Sequence, residues 1–250
     1  PTEAERARLY RNNRDGTFTD VTVRVRLYTV MYSMGANFGD LDSDGFLDFY
    51  VGTGDPDFRE IIPNRMFRNA GGKLFQDVTT SGGFGHLQKG HGIAFGDLDN
   101  DGDQDIYAVL GGAFMGDVYQ NALFENPGHG NHWITLKLQG VQSNRSAIGA
   151  RIRVRVNTRE GSRDIHTTVT SGGSFGASSL QQEMGLGKAA SIGEVEITWP
   201  TTGRAQTFKG VAMDRAYQAR EGNPVLIPME LKPFDLSPEE QRGSSHKQHH

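Results

Sequence analysis

Along this chain, apolar residues alternate with polar ones in short runs, and glycine, asparagine and aspartate separate the runs. Gly35-Ala36-Asn37-Phe38-Gly39 and Leu47-Asp48-Phe49-Tyr50-Val51 flank one polar loop. Gly92-Ile93-Ala94-Phe95-Gly96 and Asp105-Ile106-Tyr107-Ala108-Val109 flank another. Aromatic and β-branched residues at a spacing of two predict strands, and no stretch carries a convincing helical period. After Pro127-Gly128-His129-Gly130-Asn131 the runs lengthen. His132 to Leu138 and Ala150 to Val156 alternate as half-buried strands do, the second placing Arg151, Arg153 and Arg155 on one face. His166 to Thr170 and Val195 to Pro200 read as further strands. Roughly seven short strands in about 90 residues predict a sandwich or small barrel.

The first half repeats itself. Leu9-Tyr10-Arg11-Asn12 returns as Met66-Phe67-Arg68-Asn69 and again as Leu123-Phe124-Glu125-Asn126, each 57 residues on. Phe18 to Thr22 returns as Phe75 to Thr79 at the same offset. A turn-rich unit of this length fits one blade of a β-propeller. The expected organisation is a lead-in at 1–8, blades at 9–65 and 66–122, and an abandoned third unit or linker at 123–131. A β domain at 132–222 and a proline-containing arm and polar tail at 223–250 complete it. Two blades are too few to close a propeller, so the expectation is a piece of a longer propeller protein, or one whose neighbours supply further blades.

The loops inside the two units follow one template, D-x-D-x-D-G-x-x-D. Loop one reads Asp40-Leu41-Asp42-Ser43-Asp44-Gly45-Phe46-Leu47-Asp48, and loop two reads Asp97-Leu98-Asp99-Asn100-Asp101-Gly102-Asp103-Gln104-Asp105. Oxygen-only ligands at this density suit a hard cation, and the long flexible loop suits calcium better than magnesium. Carboxylates come from Asp40, Asp42, Asp44 and Asp48, and from Asp97, Asp99, Asp101 and Asp105. The seventh residue, Phe46 or Asp103, offers its backbone carbonyl. A helix-flanked calcium loop would carry glutamate at position twelve, where this chain has Val51 and Ala108. Each loop is therefore expected to join two strands of a hairpin and to hold one calcium ion.

The units resemble FG-GAP/VCBS repeats, whose hallmark Phe-Gly-Asp-x-Asp-x-Asp-Gly stands at Phe38 to Gly45 and Phe95 to Gly102. The segment from Asn131 to about Gly222 is similar to the ASPIC/UnbV domain. It carries Asn131-His132-Trp133, Ser143-Asn144-Arg145, Ile148-Gly149-Ala150-Arg151, Gly185-Leu186-Gly187 and Trp199-Pro200. The resemblance implies an all-β protein that joins a calcium-binding propeller to a C-terminal β domain. It also implies an extracellular, non-catalytic adhesion or scaffolding role with protein or glycan partners.

Charge sharpens this reading. Residues 1–131 hold 19 acids against 11 bases, and residues 132–250 hold 11 against 15. The acidity follows the two loops, and nucleic-acid binding by that half is not expected. The chain has no cysteine and hence no disulfide. No apolar run approaches a membrane span. Calcium sites of modest affinity point to an extracellular or periplasmic location.

Other motifs carry less. Gly172-Gly173-Ser174-Phe175-Gly176 satisfies G-x-S-x-G but lacks a following helix and sits in a glycine-rich turn. Histidines 86, 91, 129 and 132 match no zinc template, and His246, His249 and His250 lie in the polar tail. Arg151, Arg153 and Arg155 read as a solvated face paired with acids on a neighbouring strand, or else as a site for an anionic glycan. Asn144-Arg145-Ser146 is a glycosylation sequon. The expected role is a non-enzymatic calcium-binding scaffold or adhesion module. The alternatives are an accessory subunit of a larger extracellular assembly and an enzyme with a site between the domains.

Overall fold

The computed structural model describes residues 6–236 apart from 56, 58–60, 113, 114, 117 and 174. Every regular element among them is a strand, as the two-residue alternation predicts. Strands β1 (Tyr10–Asn12) and β2 (Phe18–Asp20) form a hairpin. Strands β3 (Ser33–Gly39), β4 (Asp48–Thr53), β5 (Arg65–Asn69) and β6 (Phe75–Asp77) form an antiparallel meander, the shape of a propeller blade. A second, three-stranded blade follows as β7 (Gly90–Gly96), β8 (Asp105–Leu110) and β9 (Ala122–Phe124).

The sheets are out of phase with the sequence unit. The first blade takes β3 and β4 from one unit and β5 and β6 from the next, so it straddles the expected boundary at residue 65. By the same offset, β1 and β2 are the outer half of another blade. Among the described residues the second blade has no fourth strand, because those in register with β6 are 132–134 and these open β10 (His132–Gln139) of the following domain.

The first blade buries both faces by stacking, whereas the second leaves Tyr107 and Val109 of β8 exposed on one face. Within β4, Phe49 and Val51 face a cluster with Val21, Val25, Leu27, Met31 and Phe67. Tyr50, on the opposite face, joins Met66, Ile93, Phe95, Ile106 and Ala108 of the other cluster. All six residues of β4 are consequently buried. Phe49 stacks on Phe67 with ring centroids 4.9 Å apart. A side chain of this size contributes about 1.5–3 kcal/mol on burial.

The C-terminal domain adds β11 (Arg151–Thr158), β12 (Gly161–Thr168), β13 (Gln182–Gly187), β14 (Ser191–Thr198), β15 (Ala205–Phe208), β16 (Arg215–Arg220) and β17 (Ile227–Met229). With β10 these make two four-stranded sheets, ordered β13-β10-β16-β17 and β12-β11-β14-β15. Ile134 and Leu136 of one sheet and Ile152, Val154, Val195 and Ile197 of the other share one core, closing a sandwich. Trp199 is buried there, its Nε1–H donating to Gln206 Oε1 at 2.9 Å.

Candidate metal centre

Both acidic loops join hairpin strands, loop one between β3 and β4 and loop two between β7 and β8. The pairs Gly39↔Asp48 and Gly96↔Asp105 close the two hairpins in equivalent register. Position four is left-handed in each, at Ser43 (φ 52°) and Asn100 (φ 63°), and so is the position-six glycine, at Gly45 (φ 85°) and Gly102 (φ 101°). These turns fold the loop back so that its aspartates converge.

One hydrogen-bond frame holds both loops. Gly45 N–H donates to Asp40 Oδ2 and Gly102 N–H to Asp97 Oδ2. Leu41 N–H and Asn69 N–H donate to the two oxygens of Asp48, just as Leu98 N–H and Asn126 N–H donate to those of Asp105. Asn69 Nδ2 reaches Leu47 O at 3.1 Å, and Asn126 Nδ2 reaches Gln104 O at 3.0 Å. The asparagines that mark the repeat in sequence are thus part of the loop's support.

The frame gathers carboxylate oxygens. One oxygen each from Asp40, Asp42 and Asp48 lie within 4.8 Å of one another, and likewise one each from Asp97, Asp99 and Asp101. Asp44 and Asp105 fall outside these triplets. Asp44 Oδ1 is taken by Phe46 N–H, and Asp105 is held by its two backbone donors. The Asp42 side chain is 9 % exposed. Its Oδ1 is buried without a hydrogen-bond partner, as are Asp97 Oδ1 and Asp103 Oδ1. Burial, reinforced by the Asp48 charge, pushes Asp40 up to about 8. Burial likewise pushes Asp48, Asp97 and Asp103 up to about 7, neighbouring acids adding to it. Buried, unpartnered carboxylate oxygens that repel one another are the donor set a hard divalent cation satisfies.

A family model described as an FG-GAP-like repeat matches residues 2–51 and 52–108, and one described as ASPIC and UnbV matches residues 140–225. The chain is an FG-GAP-like repeat protein with a C-terminal ASPIC and UnbV domain. No curated protein matches it significantly.

In this FG-GAP-like pair the loops also dock the ASPIC and UnbV domain. Asn131 Nδ2 donates to Asp42 O at 2.6 Å, Gly187 N–H to Ser43 O at 2.9 Å, and Arg163 Nη2 to Asp44 O. Gln104, at position eight of loop two, accepts from Asp40 N–H at 2.7 Å and donates to Glu183 Oε2 of β13 at 3.2 Å. Asn126 Nδ2 crosses to Leu41 O at 2.7 Å. Arg68 of β5 pairs with Asp42. Arg163 and Glu183 carried no signal in the sequence, whereas Asn131 and Gly187 stood there as motif residues and Arg68 and Asn126 as marks of the repeat.

Phe46 lies with its ring 4.8 Å beneath the Arg163 guanidinium and donates its N–H to Asp44. The histidines do not assemble a site. His91 contacts Gly111 O, His86 packs on the Tyr119 ring, and His132 pairs with Asp214. Neither acidic triplet, the metal-suited groups among the described residues, includes a histidine. Ser174 and the tail histidines 246, 249 and 250 lie outside the described residues. Gly173 N–H bonds Gly176 O at 2.6 Å, as a tight turn requires. Arg153 pairs with Glu194 at 2.7 Å and Glu196 at 3.1 Å, and Arg155 with Asp164 at 2.8 Å, so these two arginines are neutralised by neighbouring strands.

Proposed function

We propose that the chain is a non-enzymatic, extracytoplasmic calcium-binding scaffold or adhesion module that meets protein or glycan partners. The observation that carries the metal reading is the pair of equivalent loops holding buried, unpartnered oxygens of Asp42 and Asp97 beside other carboxylates. Asp40, Asp42 and Asp48 would hold one ion, with Asp44 and the Phe46 carbonyl completing the set. Asp97, Asp99 and Asp101 would hold the other, with Asp103 and Asp105. Calcium supplies positive charge that relieves the mutual repulsion of these groups and stiffens each hairpin. A site that binds only the folded state adds about 2.7 kcal/mol at one hundred times Kd. Extracellular and periplasmic calcium levels suit such sites.

Thermal unfolding with calcium against chelator tests this. Calcium is expected to raise the melting temperature, and the double variant Asp42→Ala, Asp99→Ala to abolish the response. Identical melting in chelator and calcium sinks the calcium reading.

A second reading, an accessory subunit whose neighbours complete the propeller, is favoured by the open strand edges. Among the described residues, β1 pairs only with β2, and β9 has no partner on its outer edge. Unpaired edges recruit strands. A chain that stays monomeric in calcium by light scattering would count against obligate assembly.

A further inference from the structure

The two loops share a backbone and differ in charge. In loop one, Arg68 Nε lies 2.5 Å from Asp42 Oδ2, and Arg68 Nη2 lies 4.0 Å from Asp44 Oδ2. A second guanidinium, that of Arg163, sits on the Asp44 carbonyl. One unit later the residue in register with Arg68 is Glu125, which follows β9 as Arg68 sits in β5. Loop two also carries Asp103 where loop one carries Phe46, and Gln104 brings the Glu183 carboxyl against it. Loop one therefore sets four aspartates beside two guanidiniums, with Glu125 lining the same cavity as Asp42; loop two sets five aspartates beside Glu183, with the Glu125 charge bearing on Asp99.

We propose that the loops are unequal cation sites: loop two fills first, and loop one fills only when the Arg68 guanidinium leaves Asp42. This rests on the cation-binding reading above and assigns its order. An ion that draws on both oxygens of Asp42 finds Oδ1 unpartnered but must take Oδ2 from Arg68. The displaced guanidinium has somewhere to go, because its Nη1 already reaches Gln76 Oε1 on β6 at 3.3 Å. The way in is open, since Asp42, Asp48 and Arg68 line one cavity of about 540 Å³ together with Phe84, Phe124 and Glu125. Calcium affinity in oxygen sites follows the charge of the ligand set, and a full positive charge within about 4 Å shifts it by about tenfold or more. The protein thus carries one site occupied at low calcium and one that responds at higher calcium. Arg68 is the residue that separates them.

Calorimetric titration of the chelator-stripped chain with calcium tests the order, using wild type, Arg68→Gln, Arg68→Lys and Glu125→Arg. Asp99→Asn versions isolate loop one, and circular dichroism checks the fold of each protein. Wild type is expected to show two classes at least about tenfold apart. Arg68→Gln is expected to tighten the weaker class about tenfold and leave the tighter one unchanged, while Arg68→Lys, which keeps the charge, stays near wild type. Glu125→Arg is expected to weaken the tighter class. An Arg68→Gln protein whose weaker class is unchanged or weakened overturns the proposal and leaves cation binding standing. So does an unaltered tighter class in Glu125→Arg, which also decides the matter should Arg68→Gln fail to fold. A wild-type chain with neither calcium heat nor a calcium-dependent melting temperature overturns the cation-binding reading itself.

Discussion

The indole of Trp133 occupies the space above Gly102: a Cβ built on that glycine would stand 2.1 Å from Trp133 Cε2. Gly102 also holds φ 101°. Position six of loop two is therefore fixed twice, by its backbone and by the first strand of the C-terminal domain.

Gly102→Ala is expected to destabilise the protein more than Gly71→Ala. Gly71 has φ 64° with nothing within 4 Å, so alanine there meets backbone strain alone, about 1–2 kcal/mol. Gly102→Ala adds the displacement of Trp133. Urea unfolding followed by tryptophan fluorescence compares them, and equal midpoints would remove the packing role assigned to Trp133.

On the calcium reading, the acidic loops are expected to give stability opposite pH slopes with and without the ion. A carboxyl raised in the folded state binds its proton more tightly folded than unfolded, so its contribution is full below the ordinary value of 3.8 and is lost as pH climbs through the folded value. With Asp40 at about 8 and Asp48, Asp97 and Asp103 at about 7, the chelated protein is expected to lose stability between pH 5 and pH 8. In saturating calcium the order is expected to reverse, because only ionised carboxylates hold such an ion. Denaturant midpoints at the two pH values, each in chelator and in calcium, check the crossing. Parallel slopes would contradict it.

Gln104 ties Asp40, Glu183 and, through its carbonyl, Asn126 into one network. Gln104→Ala leaves Asp40 N–H unpaired and removes one donor from the half-buried Glu183 carboxyl, at a cost of about 1–3 kcal/mol. It is also expected to weaken cation binding in loop one, although Gln104 belongs to loop two. A change confined to loop two would show that the network does not cross.

Glu221 caps a turn in the C-terminal domain. Its Oε2 accepts from the N–H groups of Val141, Gln142 and Ser143 at 2.7–2.8 Å. Desolvation opposes ionisation there, but these donors prevail and hold its pKa below the ordinary 4.5. A depressed carboxyl contributes stability above its unfolded value and loses it as pH falls through the folded one. Glu221→Gln is expected to cost about 1–2 kcal/mol at pH 7 and to flatten the acid limb of the stability curve. An unchanged acid limb would assign that limb to other groups.

The strand pairs, the acidic loops and the change of domain near Asn131 were legible because each rests on local spacing. The template at Asp40 and Asp97 repeats with the glycine its turn requires, and the flanking alternation demands strands. The phase of the blades was not legible: a period of 57 residues does not say where a sheet starts, and only the ladder pairs Phe49↔Phe67 and Tyr50↔Met66 show that the boundary falls inside one. Arg68 was legible as a register mark and not as a charge against Asp42, because that pairing depends on how β5 lies across β4. Glu183 and Gln104 meet across 79 residues of chain and carry no pattern. The parallel pairing of β10 with β16 is invisible for the same reason.

Because β4 and β5 lie in different sequence units but in one sheet, a cut in the chain between Asp57 and Ile61 would not release two separate repeats. Each fragment would carry two strands of the same blade, rejoined by the Phe49–Phe67 ladder pair and the stack of their rings. A protease that clips this connection would leave a noncovalent pair migrating as one particle. The same joint offers a natural place to divide the protein into halves that find each other again.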